Sequence, residues 1–470
     1  MIIRNGLLIL TLLSQITLAQ QASEQSSEDD VFLGELSLDD DLFADAFALK
    51  EDTNVDSWRD GLTIRLSQQL SGQVNNHTVE PIEGYLLSKP SELENNRFGV
   101  NVRFQNAFAD GWLVQGSWQA RAYWRGDYEY TANNNNIETE YRVNELFVQR
   151  SQSQQSLKLG RQTVVWGETV GNSVLDVINH TEYRDFGTID IEDARLNQWM
   201  LVWDVFKDNG NWSSFINLYP EFNPTPVTGS PFYNPLDSNL DGYSRSGQSI
   251  FEAGTQWSKS FDGSDIAFMA AYLYENQLQY QAPNVPLDEP LALANDFILI
   301  GFSANKALGK LLLSLDVALS HGLLLDQSTL AGAASNGLSS GIKKDQVGIS
   351  LGFEYGVNSQ QSVSASIQAK AMINERDGLI DEQPLINEGV YGNWLVRYSN
   401  LVMNSTLNLS ATIQGDLEGD AGLLFVGADY SINDHWQVAG QVISIKSNKA
   451  SPLVIFDEDL RLGIIVSYAF

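Results

Sequence analysis

Residues 157–203 hold the densest group of side chains that could form ion pairs. The polar members are Glu168, Asp176, Asn179, Arg184, Asp190, Glu192, Asp193 and Arg195, and Trp166-Gly167 stands just before them. Arginine and carboxylate groups form strong, often bidentate hydrogen bonds. Because large apolar residues such as Val174 and Ile178 are interspersed with these charges, we predict a folded loop braced by ion pairs. The alternative is a large exposed loop packed on its neighbours.

A second set of charges alternates with apolar residues along the chain. Arg65, Arg97, Arg103, Arg121 and Arg125 share the polar face of three early segments, and Arg161 ends a later one. Later segments offer mainly carboxylates on the same face, at Glu252, Asp316, Glu354 and Asp429, with Lys370 as the clearest base. Opposed basic and acidic walls would select among ions and solutes. The alternative is that nearby carboxylates only neutralise the arginines.

One stretch resembles half of a calcium-binding loop. Asp237, Asn239 and Asp241, followed by Gly242, place oxygen ligands at alternate positions before a turn. An EF-hand is excluded because Gln248 occupies the position of the closing bidentate glutamate. A loosely bound Ca²⁺ in an outer loop and a plain polar turn stay open as interpretations. We expect no other cofactor.

Little in the sequence points to catalysis. Cysteine is absent, which excludes disulfides and thiolate nucleophiles, and the four histidines show no metal-ligand spacing. His180, close in sequence to Asp176 and Asp185, is the single weak candidate for a hydrolytic site. We therefore expect no enzyme. The formal net charge of −31 also argues against nucleic-acid binding.

The last residues, 459–470, form the clearest element. From Leu460 to Phe470 apolar residues hold a period of two to the final residue, which is typical of a β-strand with one face in an apolar medium. The strand resembles the closing strand of bacterial outer-membrane barrels, whose assembly signal would correspond to Gly463, Tyr468 and Phe470. An ordinary edge strand this apolar would invite aggregation.

The first residues indicate export. Arg4, the apolar run at 6–13 and the small-residue site Thr17-Leu18-Ala19 predict a signal peptide over 1–19. Residues 20–57 are strongly acidic, and apolar residues at helical spacing follow Asp39-Asp40-Asp41, so a short amphipathic helix is predicted there. We expect this segment to be a periplasmic leader, a docking segment for a partner, or a plug.

Between these ends, period-two matching gives about eighteen strands, with sixteen as the alternative. Short polar turns alternate with long connections, as in transmembrane barrels. The predicted fold is therefore all-β: an antiparallel up-and-down transmembrane barrel over residues 58–470, with the 163–196 connection folded inward. Such a barrel encloses an aqueous lumen.

The 157–203 stretch resembles an uncharacterised family of Gram-negative outer-membrane barrels. The matching motif is Arg161-Gln162, Trp166-Gly167, Asp176, Asn179, Arg184 and the acidic run Asp190–Arg195. The resemblance implies an outer-membrane protein of unsettled function. Members are often encoded near proton-driven efflux-type exporters, which suggests an export or lipid-related role.

These observations predict a porin-like channel in the cell outer membrane for a small or amphiphilic solute. The expected partners are outer-membrane lipid and the barrel-assembly machinery. The alternative is an accessory partner of an inner-membrane exporter or lipid-transport system, engaged through residues 20–57. An outer-membrane hydrolase is a distant third.

Overall fold

The computed structural model describes residues 61–124, 127, 137–182, 184, 195–224, 226, 230, 232–233, 250–281, 291–325, 342–373, 390–449 and 451–470. Several predictions lie outside these residues: the signal peptide 1–19, the acidic segment 20–57, the first residues of the predicted barrel, Arg125, Asp185, the acidic Asp190, Glu192 and Asp193, and the calcium candidates Asp237, Asn239 and Asp241.

The described residues form twenty-four strands and a short 3-10 helix at Pro452–Phe456. In chain order the strands are β1 (Leu62–Gln73), β2 (His77–Ile82), β3 (Tyr85–Lys89), β4 (Glu92–Ala109), β5 (Trp112–Tyr123), β6 (Glu138–Gln152), β7 (Gln155–Gln162), β8 (His180–Thr181), β9 (Arg195–Leu196), β10 (Gln198–Val205), β11 (Asn211–Asn217), β12 (Glu252–Phe261), β13 (Ser264–Tyr274), β14 (Gln279–Gln281), β15 (Leu291–Leu293), β16 (Asp296–Leu308), β17 (Leu311–Leu325), β18 (Ile342–Asn358), β19 (Gln361–Met372), β20 (Val390–Val402), β21 (Leu407–Asp416), β22 (Ala421–Ser431), β23 (Trp436–Ser447) and β24 (Leu460–Ala469).

Eighteen of these strands form one closed antiparallel sheet. Around the barrel the order is β1, β4, β5, β6, β7, β10, β11, β12, β13, then β16 through β24 in sequence. The barrel closes where β24 pairs with β1, with Arg65 opposite Ala469. The predicted antiparallel barrel of eighteen strands is confirmed. Closure leaves every barrel strand hydrogen-bonded on both sides, which removes aggregation-prone edges.

Side chains alternate between the lumen and the outer surface because the strand period is two. On β16, Ile298 and Ile300 are exposed outside, whereas Ser303 and Asn305 are buried inside. On β24, Leu462 and Ile464 face outward and Arg461 is buried on the lumen side. An apolar outer face with a polar inner face is the pattern of strands that cross a bilayer.

Aromatic side chains gather where the chain ends. The Tyr468 ring centroid lies 4.9 Å from that of Trp436 and 4.8 Å from that of Phe470. Gly463, the small residue of the predicted assembly signal, lies in register with Ser71 and Gln441. The C-terminal strand therefore completes the barrel wall and carries part of its aromatic rim.

Three connections contain small hairpins that the period-two pattern alone left as loops. They are β2–β3, β8–β9 and β14–β15, each outside the main sheet. In the described part of the chain, no helix is long and apolar enough to cross a membrane.

Candidate functional site

The inward loop, residues 163–182, packs against the lumen side of the barrel wall. Its Trp166, Val174, Leu175 and Ile178 are buried in one apolar cluster with inward residues of β10, β11, β13, β16 and β17. The strand residues of this cluster are Met200, Val202, Phe215, Ala267, Met269, Ala271, Leu273, Phe297, Leu299 and Ala318. Barrel lumens of this size are ordinarily polar. The apolar inner face packs against the loop, and burial of the apolar side chains of both stabilises the position of the loop.

Glycines on four lumen-facing positions make room for this loop. A Cβ at Gly301 would lie 2.5 Å from Leu175 Cδ2, and one at Gly348 would lie 2.8 Å from Val174 Cγ1. Gly254 meets Trp166 in the same way at 2.7 Å. A Cβ at Gly352 would lie 3.2 Å from the methyl group of Thr169. The inner wall is thus shaped to the loop over strands β12 to β18.

Replacing Gly301 with valine is expected to displace the inward loop, because the new Cβ and methyl groups would overlap Leu175. Overpacking of this kind costs about 1–3 kcal/mol. Limited proteolysis of the folded barrel should then cut faster within 163–182. Gly440→Val is the matched control, since a Cβ there has nothing within 4 Å. Equal cleavage of both variants and the parent would contradict the steric account.

Hydrogen bonds attach the loop to the barrel wall at two further places. Asp316, which is fully buried on β17, accepts the backbone N–H groups of Glu168 at 3.0 Å and Thr169 at 2.9 Å. The preceding Gly167 has φ +101°, a conformation that favours glycine. Farther along, the Asn172 side chain donates to Ser366 Oγ at 3.0 Å. The loop therefore spans from β17 to β19 on the inner wall.

Asn179 closes the base of the loop. Its amide accepts from Val164 N at 3.3 Å and donates to Val164 O at 2.7 Å. Just beyond, Asp176 pairs with Arg195 at 2.8 Å. The fold thus brings Asn179 against Val164 and Asp176 against Arg195.

The end of the loop reaches the opposite, basic side of the lumen. Arg184 pairs with Glu140 of β6 at 2.8 Å and with Glu182 at 2.5 Å, and Glu182 also pairs with Arg142 at 3.0 Å. Burial alone would raise the pKa of Glu182, but Arg184 and Arg142 hold that pKa below its usual range. Glu182 is therefore ionised and ties the loop to β6.

Arg161 takes part in a rim network at the end of β7. Its guanidinium binds both carboxylate oxygens of Glu221, at 2.7 Å and 2.8 Å, and His180 Nε2 lies 3.4 Å from the same carboxylate. His180 is buried, and burial lowers its pKa to about 4 in spite of Glu221. The imidazole is therefore neutral at pH 7, and its partner is Glu221 rather than a nucleophile.

The buried His180 predicts a loss of stability in acid. In the unfolded chain its pKa is near 6.5, so protonation begins there while the folded state still resists it. Its contribution is complete above pH 6.5 and falls as the pH drops towards 4. The thermal unfolding midpoint should therefore fall less between pH 7 and pH 5 in His180→Gln than in the parent protein. An equal fall in both would show that His180 does not titrate as described.

Five arginines on the lumen face of β1, β4, β5 and β6 form a row that climbs along the wall. Arg103 lies nearest the end with the 110–111 turn, Arg65 and Arg142 lie two residues higher in register, Arg121 two higher again, and Arg97 highest. At about 3.3 Å per residue, the row covers about 20 Å of strand. The structure therefore places Arg65, Arg97, Arg103 and Arg121 on one wall together with Arg142.

The partners of these arginines differ with height. Arg97 is buried and binds Asp127 through Nε at 2.8 Å and Nη2 at 2.9 Å. Arg103 is exposed to the lumen, and Arg65 and Arg121 are half-buried. In the described part of the chain, the apolar cluster under the inward loop includes no residue of β1, β4, β5 or β6. The lower arginines thus lie on a wall that the core of the loop leaves uncovered.

Described residues of the connection after β11 have contacts on two sides of the barrel. Glu221 contacts Arg161 and His180, whereas Phe232 is buried against β22 and β23. β22 stands nine positions from β11 among the eighteen strands, which is directly opposite. Glu221 and Phe232, two described residues of this connection, therefore contact opposite walls of the barrel.

Sequence reasoning missed two features of this site. Arg142 lies on β6, whose pairing with β5 shifts register opposite Ser117 and Trp118. Because of this shift, the alternation of β6 in the sequence does not show that Arg142 faces the lumen. The connection between β23 and β24 also folds inward, and Leu453, Val454, Ile455 and Phe456 are buried with Phe232. The apolar run at 453–456 was the available signal for that fold. Among the described residues, no group of acidic or histidine side chains is arranged to hold a metal ion.

Two solved structures are similar to this chain. OccAB1 of Acinetobacter baumannii is similar with a TM-score of 0.51 at 10% identity, over 89% of this chain and 99% of that one. OccK8 (OprE) of Pseudomonas aeruginosa gives a TM-score of 0.48 at 12% identity, over 87% and 98%. At these identities the likeness to OccAB1 shows the fold alone. No curated protein matches the chain. Residues 87–443 match one family throughout, and the chain belongs to that family, described as Protein of unknown function (DUF1302).

Proposed function

We propose that the protein is a porin-like channel of the outer membrane that passes small or amphiphilic solutes and prefers anions. The observation that carries the proposal is the row of arginines on the lumen face of β1, β4, β5 and β6. The apolar outer face is suited to lipid, and an eighteen-stranded barrel is wide enough for an aqueous lumen.

The inward loop accounts for the shape of the path. Because its apolar core is packed on β10 to β17, it fills that side of the lumen and directs solutes towards the arginine wall. Successive positive groups along a narrow aqueous path attract an anion and pass it from one site to the next. Arg103 and Arg65, which keep more contact with the lumen than Arg97, are the main groups in this mechanism.

Anion preference is expected to survive the acidic composition of the chain. Carboxylates near this wall have local partners: Asp127 pairs with Arg97, Glu182 pairs with Arg142, and Glu145 accepts a hydrogen bond from Gln115 at 2.7 Å. A local field near the path decides selectivity, because charges beyond about 10 Å are screened at 0.1 M salt. The formal net charge of −31 therefore has little influence inside the pore.

Single-channel recording of the purified protein in a planar bilayer tests the proposal. Steady conductance steps, with a reversal potential under a potassium chloride gradient that favours chloride, are the expected result. A barrel that inserts but passes no current would refute the open channel. A reversal potential that favours potassium would refute the role given to the arginines.

A further inference from the structure

Lys370 is a positive charge of the lumen wall whose neighbours are all neutral. It lies on the inner face of β19, in register with Gly348 of β18 and Tyr391 of β20. The adjacent inward residues of β19 itself are Gln368 and Met372. In the part of the chain that the structure describes, Lys370 forms no salt bridge, and desolvation is the only influence acting on its ammonium.

The lack of a partner distinguishes Lys370 from other basic groups of the lumen. Arg97 and Arg142 each bind a carboxylate, at 2.8 Å and 3.0 Å. Asp345, on the strand next to β19, is paired with His321 at 2.7 Å. Lys370 is partly buried, so its ammonium loses hydration without gaining an ion pair, which is unfavourable. An anion from solution would supply the missing interaction.

The surroundings of Lys370 are formed by the inward loop and by a fixed aromatic ring. A Cβ at Gly348 would lie 2.8 Å from Val174 Cγ1 of the loop and 3.6 Å from Lys370 Cγ. The lysine stem therefore lies beside the edge of the loop. On the other side, the phenol oxygen of Tyr391 accepts a hydrogen bond from Gln346 Nε2, which holds the ring next to Lys370.

Lys370 also faces the arginine row from the other side of the barrel. β19 stands nine positions from β6 among the eighteen strands, which is directly opposite. Lys370 is two residues from the end of β19 that leads into the long connection to β20, whereas the other end joins β18 through a short turn. Long connections lie on the outer side of transmembrane barrels, so the ammonium is near the outer end of the lumen.

We propose that Lys370 and Tyr391 form an entry site for amphiphilic monoanions, which are solutes with one acidic head and an apolar body. The ammonium binds the head, and the partly exposed Tyr391 ring and Met372 side chain contact the body. The inference rests on the proposed channel for its role in transport, and it names the class of solute. Binding itself does not require that the channel be open.

Isothermal titration of the purified protein with benzenesulfonate tests the site without any current. Lys370→Gln should raise the dissociation constant by roughly tenfold, the effect of about one charge-assisted hydrogen bond. Lys370→Arg keeps the positive charge and should keep most of the affinity. Lys158→Gln, which removes a lysine of β7, is the matched control and should leave the affinity unchanged. Equal affinity of the parent and Lys370→Gln would overturn the site.

A second probe separates the head from the body. Methanesulfonate has the same acidic group without the ring, and it should bind roughly fivefold more weakly because it buries less apolar surface. Equal affinity for the two sulfonates would overturn the role given to Tyr391 and Met372.

Planar bilayers then connect the site with transport. Benzenesulfonate on the outer side should interrupt the current of the parent, and it should do so less in Lys370→Gln. Equal interruption in both would overturn the role of Lys370 as an entry site. If the parent and every variant pass no current, the proposed channel fails, while the titrations still decide whether Lys370 binds the anion.

Discussion

Replacing Asp316 with alanine is expected to release the 167–169 corner of the inward loop and increase single-channel conductance. The carboxylate is fully buried and accepts two backbone N–H groups of the loop. A hydrogen bond to a charged group contributes about 1.5–3 kcal/mol. Losing both should therefore reduce the free energy that holds the loop on the wall by at least about 3 kcal/mol. Asp316→Asn, which keeps one acceptor oxygen, should give an intermediate conductance in planar bilayers.

Asp416→Ala is the control for this prediction. Asp416 is also buried and also accepts two backbone N–H groups, from Asp420 at 2.7 Å and Ala421 at 2.8 Å. Those groups belong to its own turn between β21 and β22. The control should lower stability without changing conductance. If both variants conduct alike, buried aspartates only stabilise the barrel and Asp316 does not set the width of the path.

Neutralising Arg65 and Arg103 together is expected to lower the chloride-to-potassium permeability ratio markedly. A unit charge about 5 Å from an ion in water contributes about 0.8 kcal/mol, or about fourfold in relative permeability. The double variant Arg65→Gln, Arg103→Gln should therefore lower the ratio by roughly tenfold or more, with each single variant giving part of the effect. Reversal potentials under a salt gradient measure the ratio.

Lys259→Gln separates local from overall charge. Lys259 is on β12, where its ammonium lies 5.6 Å from the ring centre of Phe261 near the barrel end. Removing that charge changes the net charge of the protein by the same amount as one arginine variant. The chloride-to-potassium permeability ratio should stay unchanged. A shift as large as that of Arg103→Gln would mean that the total charge, and not the arginine row, controls permeation.

The barrel itself could be predicted because its signal is local. An apolar outer face and a polar lumen face impose alternation on each strand, so Leu462 and Ile464 identify a membrane-facing surface without reference to any partner. The eighteen strands of the closed sheet follow from counting such segments. The lumen position of Arg65, Arg97, Arg103 and Arg121 follows from the same alternation.

The contacts of the predicted site residues could not be read in this way. Arg161 was predicted to line the channel, and its guanidinium is bound to Glu221, 60 residues later. The sequence favoured an inward loop but could not show where it lies. Its position depends on Asp316, 148 residues from Glu168, and on glycines of separate strands.

The sequence by itself determined the class of fold, the strand number, the faces of the strands and the presence of a loop that mixes apolar residues with charges. Each of these properties follows from an alternation that recurs along the chain or from the residue composition of one segment. Only the tertiary structure decided which wall the loop covers, which arginines face the remaining path, and that Phe232 packs against Arg461. The physical reason is that closure of the barrel sets residues distant in sequence side by side, and burial and charge pairing then select among contacts that no local pattern records.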